Sequence, residues 1–178
     1  PLSDFSNPRK SGIIAIKLDN GDYLIGAGIT KGENDVVLVS NHGKAVWFGE
    51  SDVRSMGRNA RGVRGMKLTD GGEVLSLLIA ENDAQSVMVA TENGYGKRTQ
   101  LSEFRRSGRG TQGVKAIQVS DRNGQVVGAK LVGDHDELML ITTGGVLIRT
   151  RVSEIRELGR ATQGVTLINL GDDEKFRG

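Results

Sequence analysis

Residues 108 to 113, Gly-Arg-Gly-Thr-Gln-Gly, carry the G-x-G-x-x-G spacing that cradles a dinucleotide pyrophosphate. That chemistry needs a strand before the glycines and a helix after them, because free N–H groups and the dipole at a helix N-terminus hold the phosphate. The next six residues are Val-Lys-Ala-Ile-Gln-Val, whose β-branched residues and alternation at Ile117, Gln118 and Val119 predict a strand instead. The stretch also has two counterparts in the same chain. Residues 57–68, 108–119 and 159–170 align without a gap at a spacing of 51 residues, with Asn59 and Ala161 in the place of Gly110. The pattern therefore reads as part of a repeat and not as a nucleotide site.

Other groups with chemical potential are sparse. His42 falls in a turn and His135 in an acidic loop, both expected to face solvent, with no partner spacing for zinc. Asp134-His135-Asp136-Glu137 has the composition of a divalent-cation loop and, equally, of a plain acidic one. Ser51, Ser102 and Ser153 keep the 51-residue period and are expected to begin turns, and no G-x-S-x-G motif occurs. No catalytic, cofactor or metal residue is assigned.

Cationic side chains are the remaining chemistry. The connections at 5–17, 54–67, 105–118 and 156–169 hold 14 basic residues against one acid, Glu157. The bases are Arg9, Lys10, Lys17, Arg54, Arg58, Arg61, Arg64, Lys67, Arg105, Arg106, Arg109, Lys115, Arg156 and Arg160. The other connections hold 15 of the 22 acids, among them Asp19, Asp35, Asp83, Asp134 and Glu137. Repeats place equivalent loops on one edge, so the near-neutral total of +2 is expected to hide one basic and one acidic edge. A continuous basic edge suits a long polyanion such as duplex DNA. Aromatic residues at 4% are too few for the stacking platforms that single strands need. The candidate phosphate contacts are Arg9, Lys10, Arg54, Arg58, Arg61, Arg64, Lys97, Arg98, Arg105, Arg106, Arg109, Lys115, Arg149 and Arg160.

The elements that must position these residues recur four to a unit. A short first strand carries Ile16 and Leu18, Met66 and Leu68, Ile117 and Val119, or Ile168 and Leu170. A second strand spans 23–29, 74–80 and 126–132, and a third begins at 36, 87 and 138. His42-Gly43, Asn93-Gly94 and Gly144-Gly145 then predict two-residue type I′ hairpins into a fourth strand. Units run over about 6–56, 57–107 and 108–158, with 1–5 and 159–178 as partial repeats. Four strands in each repeat of this length predict an all-β, propeller-like array with about four blades represented. The chain lacks cysteine and any apolar run near the ~18 residues of a membrane span, as a reducing cytoplasm allows. It opens at Pro1 without methionine and is expected to be a piece of something longer.

The runs AIKLDNGDYLIG (15–26), NARGVRGMKL (59–68), TENGYGKRTQLSEF (91–104), NGQVVGAK (123–130) and VLIRTRVSEIRELGRATQGVTLI (146–168) span essentially the whole chain, and together they resemble the C-terminal domain of bacterial DNA gyrase A. The resemblance implies a β-pinwheel, in which neighbouring blades exchange hairpins and duplex DNA bends around a basic rim in support of ATP-dependent negative supercoiling. It also implies partners: double-stranded DNA, the remaining gyrase A chain as a homodimer, and gyrase B in an A2B2 complex. ATP and magnesium would be used by other domains of that type II topoisomerase, in a bacterial cytoplasm at the nucleoid. The run QRRGGKG that the family needs for a full wrap is absent, and GRGTQG looks like its degenerate echo. Neither Tyr23 nor Tyr95 inherits the family's catalytic tyrosine, which lies in another region. The related topoisomerase IV domain, a protein-docking propeller and an enzyme with a metal in its acidic loops are the alternatives.

Overall fold

The computed structural model describes residues 1–82 and 84–177, so Asp83, counted above among the acids, lies outside the described residues. Its strands are β1 Asp35–Ser40, β2 Lys44–Gly49, β3 Val74–Ala80, β4 Ser86–Thr91, β5 Tyr95–Gln100, β6 Val114–Lys115, β7 Val126–Val132, β8 Glu137–Thr142, β9 Leu147–Arg151, β10 Val165–Thr166 and β11 Phe176–Arg177. Three hairpins, β1–β2, β4–β5 and β8–β9, each end in a 3-10 turn whose middle residue is Ser51, Ser102 or Ser153. No α-helix occurs among the described residues, which removes the last support for a pyrophosphate cradle at Gly108–Gly113.

Each sheet mixes repeats. The first has the order β3-β1-β2-β6, the second β10-β5-β4-β7 and the third β11-β8-β9. A hairpin from one repeat is thus flanked by the second strand of the next repeat and, in the two four-stranded sheets, by the first strand of the repeat after that. Four strands per repeat therefore do not make one sheet per repeat; neighbouring repeats exchange strands, as the resemblance to a β-pinwheel implied, and each four-stranded blade is a product of three consecutive repeats. Antiparallel pairing is continuous across these seams, as in Asp35↔Ala80 through Leu38↔Leu77 and Ser86↔Val132 through Ala90↔Gly128.

This exchange explains why the expected second strand at 23–29 does not form. Its counterparts β3 and β7 pair with a hairpin of the preceding repeat, whereas residues 23–29 meet no such hairpin and are exposed, Tyr23 by 84%. The first strands also differ from expectation. Pairing occurs at Val114–Lys115 and Val165–Thr166, ahead of the alternating residues. Just beyond, the N–H groups of Ala116 and Ile117 both donate to the Gly43 carbonyl, which draws the chain off the ladder and buries Ile117. The hairpin turns are not type I′. Gly43, Gly94 and Gly145 have φ of 71°, 84° and 82°, and among the described residues no non-glycine has positive φ. Each glycine N–H donates to the residue three back, Ser40, Thr91 or Thr142. That is the geometry of a turn closed by one left-handed glycine.

Apolar side chains alternate along the strands and fill the spaces between sheets. Val37, Val39 and Ala45 of the first sheet meet Val87, Val89 and Ala129 of the second, with Leu101, Phe104 and Ile117 between them. Val36, Val46, Phe48 and Met66 form a separate cluster on the opposite face of the first sheet. Met88, Val132, Val152 and Ile155 join the second sheet to the third.

Candidate nucleic-acid interface

The four arginine-rich connections are laid side by side by backbone bonds that repeat from unit to unit. The N–H of Lys17 donates to Ala60 O at 3.1 Å, Lys67 to Thr111 O at 2.8 Å and Gln118 to Thr162 O at 2.9 Å. Side chains add a second set of links. Arg58, Arg109 and Arg160 succeed one another at the repeat spacing. Each reaches back to the preceding connection: Arg58 to Ile14 O at 2.8 Å, Arg109 to Asp52 O at 2.8 Å and Arg64 O at 3.2 Å, and Arg160 to Lys115 O at 3.2 Å. These three guanidiniums tie neighbouring connections together, a role that their 51-residue spacing signals but that composition alone does not.

Glycines let the connections come this close. Gly113 and Gly164 have φ of 71° and 82°. A Cβ on Gly113 would strike the Ala45 carbonyl, and one on Gly164 would stand 2.8 Å from Gly96 O. The third and fourth connections therefore cross hairpin strands β2 and β5 at backbone contact distance.

The structure sorts the 14 candidate cations into three groups. Arg9, Lys10, Arg54, Arg64, Arg105, Arg109 and Lys115 are exposed and, among the described residues, form no ion pair; Arg58 and Arg160 are half-exposed and likewise unpaired. Arg61, Arg106 and Arg149 are exposed but face acids: Arg61 lies 3.1 Å from Asp19, Arg106 lies 2.7 Å from Asp35, and Arg149 contacts Glu137. The separation into a basic and an acidic edge is therefore less complete than the counts suggest. Arg61 and Arg106 meet acids of the preceding repeat, whereas Arg149, on β9, meets Glu137 across its own hairpin. The exposed pairs at Arg61 and Arg149 are worth only about 0–1 kcal/mol, so they compete weakly with a phosphate.

Lys97 and Arg98 form the third group, and here the expectation of phosphate contact is corrected. Lys97 is fully buried, and its Nζ donates to Gly159 O at 2.5 Å, Arg160 O at 2.6 Å and Thr162 Oγ1 at 3.1 Å. Arg98, its side chain only 13% exposed, donates from Nε to Ile155 O at 2.9 Å and pairs with Asp134. Thr99 completes the run, with Oγ1 donating to Leu158 O at 2.7 Å. Three consecutive side chains of β5 thus hold carbonyls between Ile155 and Arg160, at the start of the fourth connection. The repeat register carried the warning, since Lys97 aligns with Val46 and Ile148, where apolar packing is the rule. Burial lowers the Lys97 ammonium from 10.5 to about 8, with Glu103 opposing that shift and Arg160 adding to it.

The remaining chemical candidates are occupied by neighbours. Asp134, Asp136 and Glu137 bind Arg98, the Gly133 N–H and Arg149 respectively. His42 is half-buried, with Nδ1 at 3.1 Å from Thr69 Oγ1, and not fully in solvent as expected. The Tyr95 ring is covered by Arg122 at 4.7 Å from its centroid.

A family model described as DNA gyrase C-terminal domain, beta-propeller, matches residues 1–31, 34–81, 85–132 and 136–178. The last three segments begin 51 residues apart, at the period read from the sequence. The DNA gyrase A protein of Pseudomonas aeruginosa is 54% identical over 178 residues, which is all of this chain and 19% of that protein. The chain thus spans about a fifth of the length of the curated relatives it matches. A solved DNA gyrase A C-terminal domain has a TM-score of 0.85 at 31% identity, covering 94% of this chain and 57% of that one. The C-terminal domain of a DNA topoisomerase IV gives 0.89 at 29% identity, covering 94% and 53%. Shape is shared by both enzymes' domains, while the closer sequence agreement is with gyrase A.

Proposed function

Because the chain belongs to the DNA gyrase C-terminal domain family, we propose that it holds duplex DNA along its arginine-rich connections without reading sequence, and bends the duplex around the array. The observation that carries this reading is the alignment of successive connections. Lys67, Gln118 and their neighbours bind them edge to edge, so that the unpaired cations Arg54, Arg64 and Arg105 come from adjoining repeats. Such cations contact phosphates, which give affinity and register but no base discrimination. Smooth bending of 20–30 base pairs costs on the order of 1–6 kcal/mol, and a rim of repeated phosphate contacts is the means of offsetting it.

In the larger protein this domain would be non-catalytic. It would present a bent segment to the strand-passage machinery of a type II topoisomerase, with gyrase A as a dimer, gyrase B as the ATP-using partner, and the bacterial nucleoid as its place of action. The test is the affinity of this chain for a random-sequence linear duplex, beside a variant with Arg54, Arg64 and Arg105 changed to Glu. Salt-sensitive binding that the variant loses, with no preference among unrelated sequences, supports the reading. Equal binding by both proteins would contradict it.

A further inference from the structure

Lys97 is the buried charge that the proposed interface does not use. In the two equivalent positions of the repeat stand Val46 and Ile148, so nothing in the blade's packing calls for an ammonium there. Its three donors are matched to three oxygens, all in residues 159–162 of the fourth connection. Thr162 Oγ1 also lies 3.0 Å from Gly159 O, which closes the loop on itself. On the loop's outer side Arg160 reaches Lys115 O, so the same four residues link β5 below to the third connection beside it.

We infer that Lys97 is a positioning residue for DNA binding: its buried ammonium fixes the loop 159–162 so that Arg160 joins the basic edge formed by the preceding connections. The inference rests on the proposed duplex-binding function. The titratable groups that act on Lys97 are Glu103, from the 3-10 turn after β5, and Arg160 itself. An ammonium offers three protons to these three acceptors and a neutral amine only two, so the loop loosens as Lys97 loses its proton near pH 8. The equivalent loop 108–111 is an internal control: Val46 stands in the register of Lys97, and Arg109 bonds to Asp52 O and Arg64 O.

The experiment is a double-variant cycle on duplex affinity and its salt dependence, using Lys97→Met, Arg160→Ala and the pair, with melting temperature measured on each. Arg160→Ala is expected to lower the slope of log affinity against log salt by about 1. Lys97→Met is expected to lower it by nearly as much without lowering the melting temperature, and the pair to be no worse than either alone. Wild-type affinity falls from pH 7.5 to about 9, the range in which Lys97 loses its proton, while the Lys97→Met profile stays flat. Should Lys97→Met fold poorly, Thr162→Val removes one acceptor and is expected to shift the slope in the same direction by a smaller amount. Additive losses in the pair, or an unchanged slope in both Lys97→Met and Thr162→Val, overturn the inference. An Arg160→Ala chain that binds as wild type overturns it too, but leaves the duplex-binding reading intact so long as the Arg54, Arg64 and Arg105 reversal abolishes binding. If the wild-type chain binds no duplex, the proposed function falls first.

Discussion

Loops 108–113 and 159–164 share the sequence G-R-x-T-Q-G, cross the same place on the hairpin of the repeat two before, and rest on different floors. Under the first lie Val46, Trp47 and Phe48 of β2; under the second lie Lys97, Arg98 and Thr99 of β5. Both loops end on a glycine of positive φ, Gly113 or Gly164, and accept a bond at Thr111 or Thr162 from the preceding connection, though Gly108 and Gly110 have positive φ where Gly159 and Ala161 do not. What lies beneath them differs: apolar side chains in one case, with Val46 against Gly113, and a side chain that donates to the loop's carbonyls in the other. A repeat can therefore keep its geometry while one copy acquires a titratable anchor, and the two loops should respond differently to pH though they look alike.

The comparison is broken most severely at the shared glycines. Gly113→Ala and Gly164→Ala are each expected to destabilise the chain by at least about 1–3 kcal/mol, from positive φ and from collision with the strand below. Gly113→Ala should be the worse, since its Cβ meets both the Ala45 carbonyl and Val46. Denaturant titration of both variants checks the ranking.

A pH series sharpens the contrast. A lysine whose folded value is lowered binds fewer protons folded than unfolded between about 8 and 10.5, so stability rises with pH across that window. The gain attributable to Lys97 is at most about 3 kcal/mol, and it should vanish in Lys97→Met. Stability and DNA affinity would then run in opposite directions above pH 8, and chemical denaturation at several pH values reads the first of these trends.

The smallest effects concern the arginines that tie the connections together. Arg109→Gln and Arg160→Gln each remove bonds to backbone carbonyls at partly exposed sites, a loss of about 0.5–1.5 kcal/mol. Arg64→Gln, which loses no side-chain bond seen in the structure, is expected to leave the melting temperature unchanged and to weaken only duplex binding.

Much of this was legible in the chain. The 51-residue period, the three hairpins, the glycine after each turn and the concentration of arginine in one class of connection are all local patterns. The sheet composition was not, because pairing between repeats is a long-range property that no window contains. Residues 23–29 show the consequence: Tyr23, Leu24 and Ile25 read as strand like Leu75, Leu77 and Leu78, but a strand exists only where a partner edge does. Lys97 was misread for a related reason, since charge suggested surface while its register with Val46 and Ile148 pointed to the interior. The ties made by Arg58, Arg109 and Arg160 were visible only as a spacing.

The central claim is that adjoining connections form one phosphate track, and the number of phosphates neutralised measures it directly. The slope of log affinity against log salt, from about 50 to about 300 mM, should fall by about 0.9 for each of Arg54→Ala, Arg105→Ala and Arg64→Ala, with the losses adding in combination. A slope unmoved by all three, or moved by residues of one connection alone, would contradict the account.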